Sequence, residues 1–401
     1  MPNKSNDVVI VDAVRTPFGR LYGSLSHFDT YDLGAIPIRE VVKRAGVPGK
    51  MVGEVFWGVG DISCSSVAAR QSLIKAGLPH ETSSISFDMA GVSAIHAVKL
   101  ATMAMKLGEI DCAIAGGATS FSRNPVLLER LRQSGFNPLI TKNEYPPAAL
   151  NYQSFNQVAK ECDAAAKAFG VDRVEQDEWA YRSHLNYGKA WNAGKFKDEI
   201  FPLLISLEDS VPANLDIDEA YRPNITLDGL AHLENIYGTR TVTSGNAAHL
   251  SDGATAILLM TREKAVEAGV QPLATVVTSV SLAINTGRTV EAPGYAIQMA
   301  CKKASLNLDD IDVIEINEDF ACVPLITLRI VAGEDRKKLQ TLKEKTNING
   351  SALAAGHPTT ATGARIVMNL MYEMRRRGGG YALGTLSGGL AQADACIIRV
   401  D

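Results

Sequence analysis

The sequence predicts an α/β protein built from two tandem βαβ-type halves, with a long inserted segment between them. Three observations carry this reading. Short apolar runs alternate with stretches of helical spacing. The alternation occurs twice, once before residue 118 and again after residue 271. Each round ends in a strand that runs into paired glycines, Gly116-Gly117 and Gly388-Gly389. Strand–helix alternation of this kind predicts mainly parallel sheets covered by helices.

In the first half, 8–12 is a compact apolar run and reads as a buried strand. Residues 30–45 repeat at helical spacing, and 54–60 is a second buried strand. A small-residue loop at 61–66 leads into a helix over 68–76. Residues 84–88 form a strand and 89–94 a turn. The helix that follows, to about residue 107, is apolar nearly all round, which predicts burial on all sides. A strand at 110–115 closes the unit. The second half repeats the plan: strand 275–280, helix 294–304, strand 313–317, a helix over 360–377 and strand 381–387. Two such copies imply a pseudo-twofold with the two buried helices at its centre. Between them, 118–240 breaks the alternation, with Pro146-Pro147, a helical stretch from 154 to 193 and a polar segment at 207–235. The charge-dense run 333–345 reads as a solvated helix.

Composition bounds the function. The chain has 401 residues, 46% hydrophobic and 21% charged, enough for a large core. A net charge of −4 gives no broad basic field, so nucleic acid is not expected as a partner. The first residues lack the apolar core of a signal peptide, and no apolar run reaches membrane-spanning length. The six cysteines (64, 112, 162, 301, 322 and 396) have no C-x-x-C spacing. The expectation is a cytoplasmic chain with reduced thiols, no metal site and no membrane association.

The chemistry-bearing stretch is 347–363. Its Gly356-His357-Pro358 turn presents one imidazole at a helix start, among residues too small to crowd it. The bland reading is a turn that merely starts a helix. Two further stretches change the weighing: Ala115-Gly116-Gly117 at a strand end, and Asn317-Glu318-Asp319-Phe320-Ala321 after another strand. In this order the three resemble the signature segments of the thiolase family. Residues 11–19, 242–246 and Asp252-Gly253 also look like thiolase segments, so the resemblance covers nearly the whole chain. It implies a thiolase-like fold with a five-layered αβαβα arrangement. The N-terminal half would be 1–118, completed by about 241–270. A loop domain at 119–240 would cover the acyl-CoA site, and 271–401 would form the C-terminal half. It also implies coenzyme A or acyl-CoA as substrate with no permanently bound cofactor. A homodimer would pair along the strand containing 85–88, and a small zinc-binding OB-fold partner subunit is possible, since some relatives have one.

The resemblance also exposes a departure. A thiolase takes its acyl group on a thiolate at the N-terminus of the first central helix, where the helix dipole helps ionise it. Counting back from the first glycine pair puts that position at Gly91, and the turn holds no cysteine. The family's second cysteine, the acid/base at the substrate α-carbon, corresponds to Ser387. Asn317 and His357 match the family's remaining pair, which bind the thioester oxygen, the Asn through a water. Gly388 and Gly389 could offer backbone N–H donors to an oxyanion. Ser93 is the only hydroxyl in the turn. Asp88 could cap the central helix or act as a base freed by the lost thiol. Cys64 and Cys322 could be packing residues or replacement nucleophiles. For coenzyme A, Arg222 matches an arginine for the nucleotide end. Gln157 stands where many relatives have a substrate-facing His, and Ala248 where a serine contacts the pantetheine.

Three readings stay open. The first is an enzyme making or breaking a C–C bond next to an acyl-CoA carbonyl without the usual acyl-cysteine, by aldolase-type cleavage or by direct attack of free coenzyme A. The second is a thiolase-type acyltransferase whose nucleophile comes from elsewhere in the chain or from a partner. The third is a non-catalytic acyl-CoA-binding subunit. The retained Asn317 and His357 favour the first.

Overall fold

The computed structural model describes residues 7–60, 67–124, 127–128, 141–142, 155–205 and 213–401. The first half runs β1 (Val8–Arg15), α1 (Thr30–Ala45), β2 (Glu54–Gly58), α2 (Ala68–Ala76), β3 (Ser83–Phe87), α3 (Ser93–Lys106) and β4 (Cys112–Thr119). The inserted segment contributes α4 (Phe155–Phe169) and α5 (Arg173–Asn192), and the chain returns as β5 (Ser251–Thr261). The second half runs β6 (Ala274–Ala283), α6 (Ala292–Ala304), β7 (Val313–Ile316), α7 (Cys322–Ala332), α8 (Arg336–Lys345), α9 (Thr359–Arg377), β8 (Gly380–Ser387) and β9 (Gln392–Val400).

These elements follow from their residues. All eight positions of β1 are apolar or tied in place, and all are buried. Helices α1 and α2 stop at Gly46 and Gly77, whose left-handed backbones return N–H groups to the last turn. The expected single helix over 154–193 is two helices. Gly170, at φ 64°, ends the first, and the Asp172 carboxylate caps the second by accepting from Glu175 N–H. The charged run at α8 is a helix whose one buried residue is Leu342, as a solvated helix requires.

The strands form one sheet in the order β7-β8-β9-β6-β1-β5-β4-β2-β3, with a short strand at Gly19–Arg20 pairing on β5. Within the sheet, the two halves are joined by the pairing of Val9 with Thr275 and Ile10 with Ala274. On each side of that joint the pattern repeats: antiparallel, antiparallel, then parallel. The counterpart of β3 in the second half is reduced to one bridge, Ile314 with Thr346. The sheet is therefore mixed, and the expectation of a mainly parallel one is corrected. A tight turn joins β8 to β9, which forces an antiparallel pair. The strand β5 comes back from the insertion and runs against both of its neighbours.

Helices α1 and α2 cover the outer face of the first half, and α6 and α7 that of the second. Between the sheets lie α3 and α9, giving the five layers. Every residue of α9 from Thr360 to Met374 is buried. A Cβ at Gly363 would come within 2.6 Å of the Ile95 backbone nitrogen, so the two central helices touch backbone to backbone. The expectation of burial on all sides fails for α3. Met103 is 48% exposed. No described helix is long and apolar enough to cross a membrane.

The insertion is locked to the core by charge. Arg15, fully buried on β1, donates to Glu199 at 2.9 Å and to Asp218 at 2.6 Å. Removing one partner of such a cluster strands a buried charge.

The helix contact gives a prediction. Gly363→Val drives methyl groups into the Ile95 backbone and should cost about 1–3 kcal/mol. Urea unfolding should show a lower midpoint at unchanged slope.

Candidate active site

Where β7 ends, the chain turns polar, and its three residues take different work. Asn317 donates its N–H to the Thr385 carbonyl at 3.0 Å. Its side chain is fully buried, and neither amide atom has a hydrogen-bond partner. Such a group is costly to hold dry. Glu318 is fully satisfied: it accepts from Trp179 Nε1 (2.9 Å), Ser183 Oγ (2.6 Å), Asn347 Nδ2 (2.8 Å) and Leu353 N–H (3.2 Å). It pins α5 and the approach to the Gly-His-Pro turn onto the end of β7.

Asp319 is the residue that sequence reasoning passed over. Its Oδ1 lies 2.9 Å from His357 Nε2, and its Oδ2 accepts from Ser387 Oγ at 3.0 Å. His357 Nδ1 lies 2.9 Å from Thr362 Oγ1, whose hydroxyl is 3.1 Å from the Pro358 carbonyl. The short contact between Nε2 and Oδ1 requires a proton between them, since two lone pairs would repel. Burial pushes the Asp319 carboxyl up. The His357 imidazole offsets this, with help from the Ser387 hydroxyl, and holds it below the usual carboxylate range. The His357 side chain is 5% exposed and that of Asp319 18%, so the carboxylate is the more open of the two. The signal for Asp319 was the variable third position of Asn317-Glu318-Asp319-Phe320-Ala321, where a carboxylate stands two residues after the Asn.

The Gly-His-Pro turn is held from below by 246–251. Asn246 accepts from Ala321 N–H, Ala248 donates to the Asp319 carbonyl at 3.0 Å, and His249 accepts from His357 N–H at 3.2 Å. Gly356 has φ 96°, and a Cβ there would lie 2.5 Å from Ser251 Oγ, so no other residue fits.

Gly91 sits in the tight turn Ala90–Val92 that leads into α3. The space a side chain would need is filled: a Cβ at 91 would fall inside the van der Waals shell of the Ser387 carbonyl oxygen. Ser93 is buried and tied down, donating to Ala90 O at 2.7 Å and accepting from Met89 N–H at 2.9 Å. Asp88 accepts from Ala90 N–H at 2.7 Å, a bond local to the turn; α3 has no side-chain cap, so the reading of Asp88 as the cap of the central helix is corrected. The two glycine amides expected to serve an oxyanion are engaged. Gly388 N–H donates to Gln392 O at 2.8 Å and Gly389 N–H to Met89 O at 3.4 Å. The first is a full ladder bond, so the expectation for Gly388 is corrected; only the long Gly389 bond is weak enough to be exchanged. Cys322 opens α7 inside the apolar core with no exposed surface, so as an accessible nucleophile it is corrected to a packing residue. Cys64 lies outside the described residues.

Of the coenzyme A positions, Arg222 is partly buried against the site. Its N–H donates to His184 Nδ1 at 3.2 Å, and its guanidinium meets His249 Nε2 and the Ser244 carbonyl. Burial, with Arg222 and His249 beside it, pulls His184 down to about 3, which keeps it a neutral acceptor. Gln157 is half-buried in the first turn of α4. Ala248 adjoins Asp319 through the backbone bond given above.

Known proteins match over the full length. The model for the thiolase N-terminal domain matches residues 8–263, and that for the thiolase C-terminal domain residues 270–400. A probable acetyl-CoA acetyltransferase of Mycolicibacterium smegmatis is 36% identical, over 98% of this chain and 100% of its own. A beta-ketoadipyl-CoA thiolase of Pseudomonas aeruginosa is 34% identical, over 98% and 99%. Among solved structures, the Bacillus anthracis acetyl-CoA acetyltransferase superposes with a TM-score of 0.89 at 32% identity, over 98% of this chain and 99% of that one. Human mitochondrial 3-ketoacyl-CoA thiolase gives 0.88 at 29%, over 98% of each.

The filled space at residue 91 yields a prediction. Gly91→Cys should lower stability by about 1–3 kcal/mol, because the thiol must displace a backbone carbonyl. It should also gain no acyl adduct by intact mass after incubation with acetyl-CoA.

Proposed function

The chain belongs to the thiolase family, and from that premise we propose that it makes or cleaves a C–C bond next to a CoA thioester without forming the usual acyl-cysteine. The relatives' acetyl transfer and 3-ketoacyl-CoA cleavage support acyl-CoA chemistry of the Claisen or thiolysis type. The single observation that carries the finer reading is the pairing of a closed position 91 with a site that is otherwise kept polar. Asn317 holds two unsatisfied polar atoms in the dry interior, and His357 is fixed by bonds on both ring nitrogens. A scaffold would gain stability by losing the unpaired Asn317 amide. In this reading His357 and the Asn317 amide stabilise the charge that develops on the thioester oxygen. Ser387 relays or orients a proton, and the Gly389 amide is a second donor. Coenzyme A reaches in over Ala248, with Arg222 and Gln157 beside it, under cover of the inserted segment 119–240.

Two copies pair along the outer edge of β3. That edge has no partner among the described residues, and Ile85 lies on it 43% exposed.

Donors aimed at developing charge are worth roughly 3–4 kcal/mol each, so His357→Ala and Asn317→Ala should each lower turnover about 100-fold or more. Coenzyme A affinity, measured by calorimetry, should change far less. Unchanged turnover in both variants would sink the reading. A dimer mass is expected by light scattering, and Ser86→Pro, which removes a donor from β3, should shift it to monomer.

A further inference from the structure

We propose that Asp319 is the catalytic base and acid of this site, carrying the proton to and from the substrate α-carbon, while free coenzyme A itself takes the acyl group. This rests on the acyl-CoA reading above, and names the group that performs its proton transfer.

The geometry singles Asp319 out. Position 91 has no side chain and no room for one. Ser387 cannot act as a base alone, since its hydroxyl is already donated to Asp319 Oδ2. The other carboxylate at the end of β7, Glu318, has its oxygens taken by four donors. Asp88 is exposed to solvent and accepts from Ala90 N–H, not from His357 or Ser387. Asp319 alone is joined to both His357 and Ser387, and 18% of its side-chain surface remains open. Its backbone carbonyl holds Ala248 N–H, so a thioester lying along the 246–249 segment passes the carboxylate.

The protons balance without an outside oxidant or reductant. In the cleavage direction the S–H proton of free coenzyme A moves to Asp319. The thiolate adds to the β-carbonyl carbon, and the bond between that carbon and the α-carbon breaks. The released electron pair becomes the enolate of the departing thioester, its oxygen accepting from His357 Nε2–H. Asp319 then returns the proton to the α-carbon. Without coenzyme A as attacker, the half-reaction survives alone: Asp319 removes an α-proton from a bound acyl-CoA, the enolate forms, and the proton or a solvent deuteron returns. Substrate binding also tunes the base. The imidazole is the strongest of the neighbours that hold the Asp319 carboxyl down, and a thioester oxygen that takes the His357 proton removes that hold.

The test is deuterium exchange at the α-carbon of acetyl-CoA in D2O, followed by mass spectrometry, with the full-length protein. The wild type should exchange above the protein-free blank. Asp319→Asn, nearly isosteric, should lower the exchange rate about 100-fold or more, the usual size of a general acid–base contribution. Acetyl-CoA affinity should stay within about threefold, since no binding group is lost. Asp319→Glu, which keeps the carboxylate, should retain more exchange than Asp319→Asn, and carries the test if the Asn variant does not fold. Exchange at the wild-type rate in Asp319→Asn would overturn the assignment, as would a folded wild type that binds acetyl-CoA and exchanges nothing. An equal loss in the Glu and Asn variants would overturn it too. Failure here differs from failure of the proposed function: C–C turnover that persists in Asp319→Asn removes the role of the carboxylate and leaves the acyl-CoA chemistry standing.

Discussion

The structure depends on backbone carbonyls pressed against glycines at the ends of the two central helices. The Thr360 carbonyl, at the start of α9, abuts Gly117 at the end of β4. On the other side of the pseudo-twofold, the Ser387 carbonyl at the end of β8 abuts Gly91 at the start of α3. Each half's strand end thus meets the other half's helix start, and the helices cross at Gly363 and Ile95. Close packing of this order leaves no slack, because interiors are as dense as organic crystals. The site is made where these contacts converge, and its residues are positioned by the same packing that joins the halves.

Charge is distributed by role over three consecutive residues. Glu318 is wholly committed to structure, anchoring the inserted segment through Trp179 and Ser183. Asn317 is left polar and unpaired, and Asp319 bridges two side chains while remaining partly open. Successive residues beyond a strand end point in different directions, so one short run can serve as anchor, donor and base at once. The buried Arg15 cluster plays a second anchoring part, holding the insertion through Glu199 and Asp218.

Much of the fold was legible because it is local. The helices at 30–45 and 68–76 appear at their expected limits, since their apolar spacing and terminal glycines are properties of the segment itself. Strand direction was not legible, because it depends on where the chain re-enters after an insertion, and β5 re-enters reversed. The split between α4 and α5 turned on Gly170 and Asp172, a stop and a cap that a long apolar period concealed. At the site, the absence of a thiol in the turn at Gly91 was visible in the sequence, but the packing there was not: only the structure brings the Ser387 carbonyl into that space. The link from Asp319 to both His357 and Ser387 was hidden for the same reason, as the three lie on separate elements 30 or more positions apart in the chain.

The order of strands carries a consequence for synthesis on the ribosome. In the first half, β5 lies between β1 and β4, and it is encoded after the whole inserted segment. Until residue 261 has emerged, β1 has no partner of its own half, and the edge of β4 that β5 will cover stays bare. The nascent chain therefore holds both unpaired strand edges from the end of β4 at Thr119 until Thr261 has been made, a state open to wrong pairing with neighbouring chains. The second half has no such delay, because β6 through β9 follow one another without a long detour. It can close soon after its last strand is released.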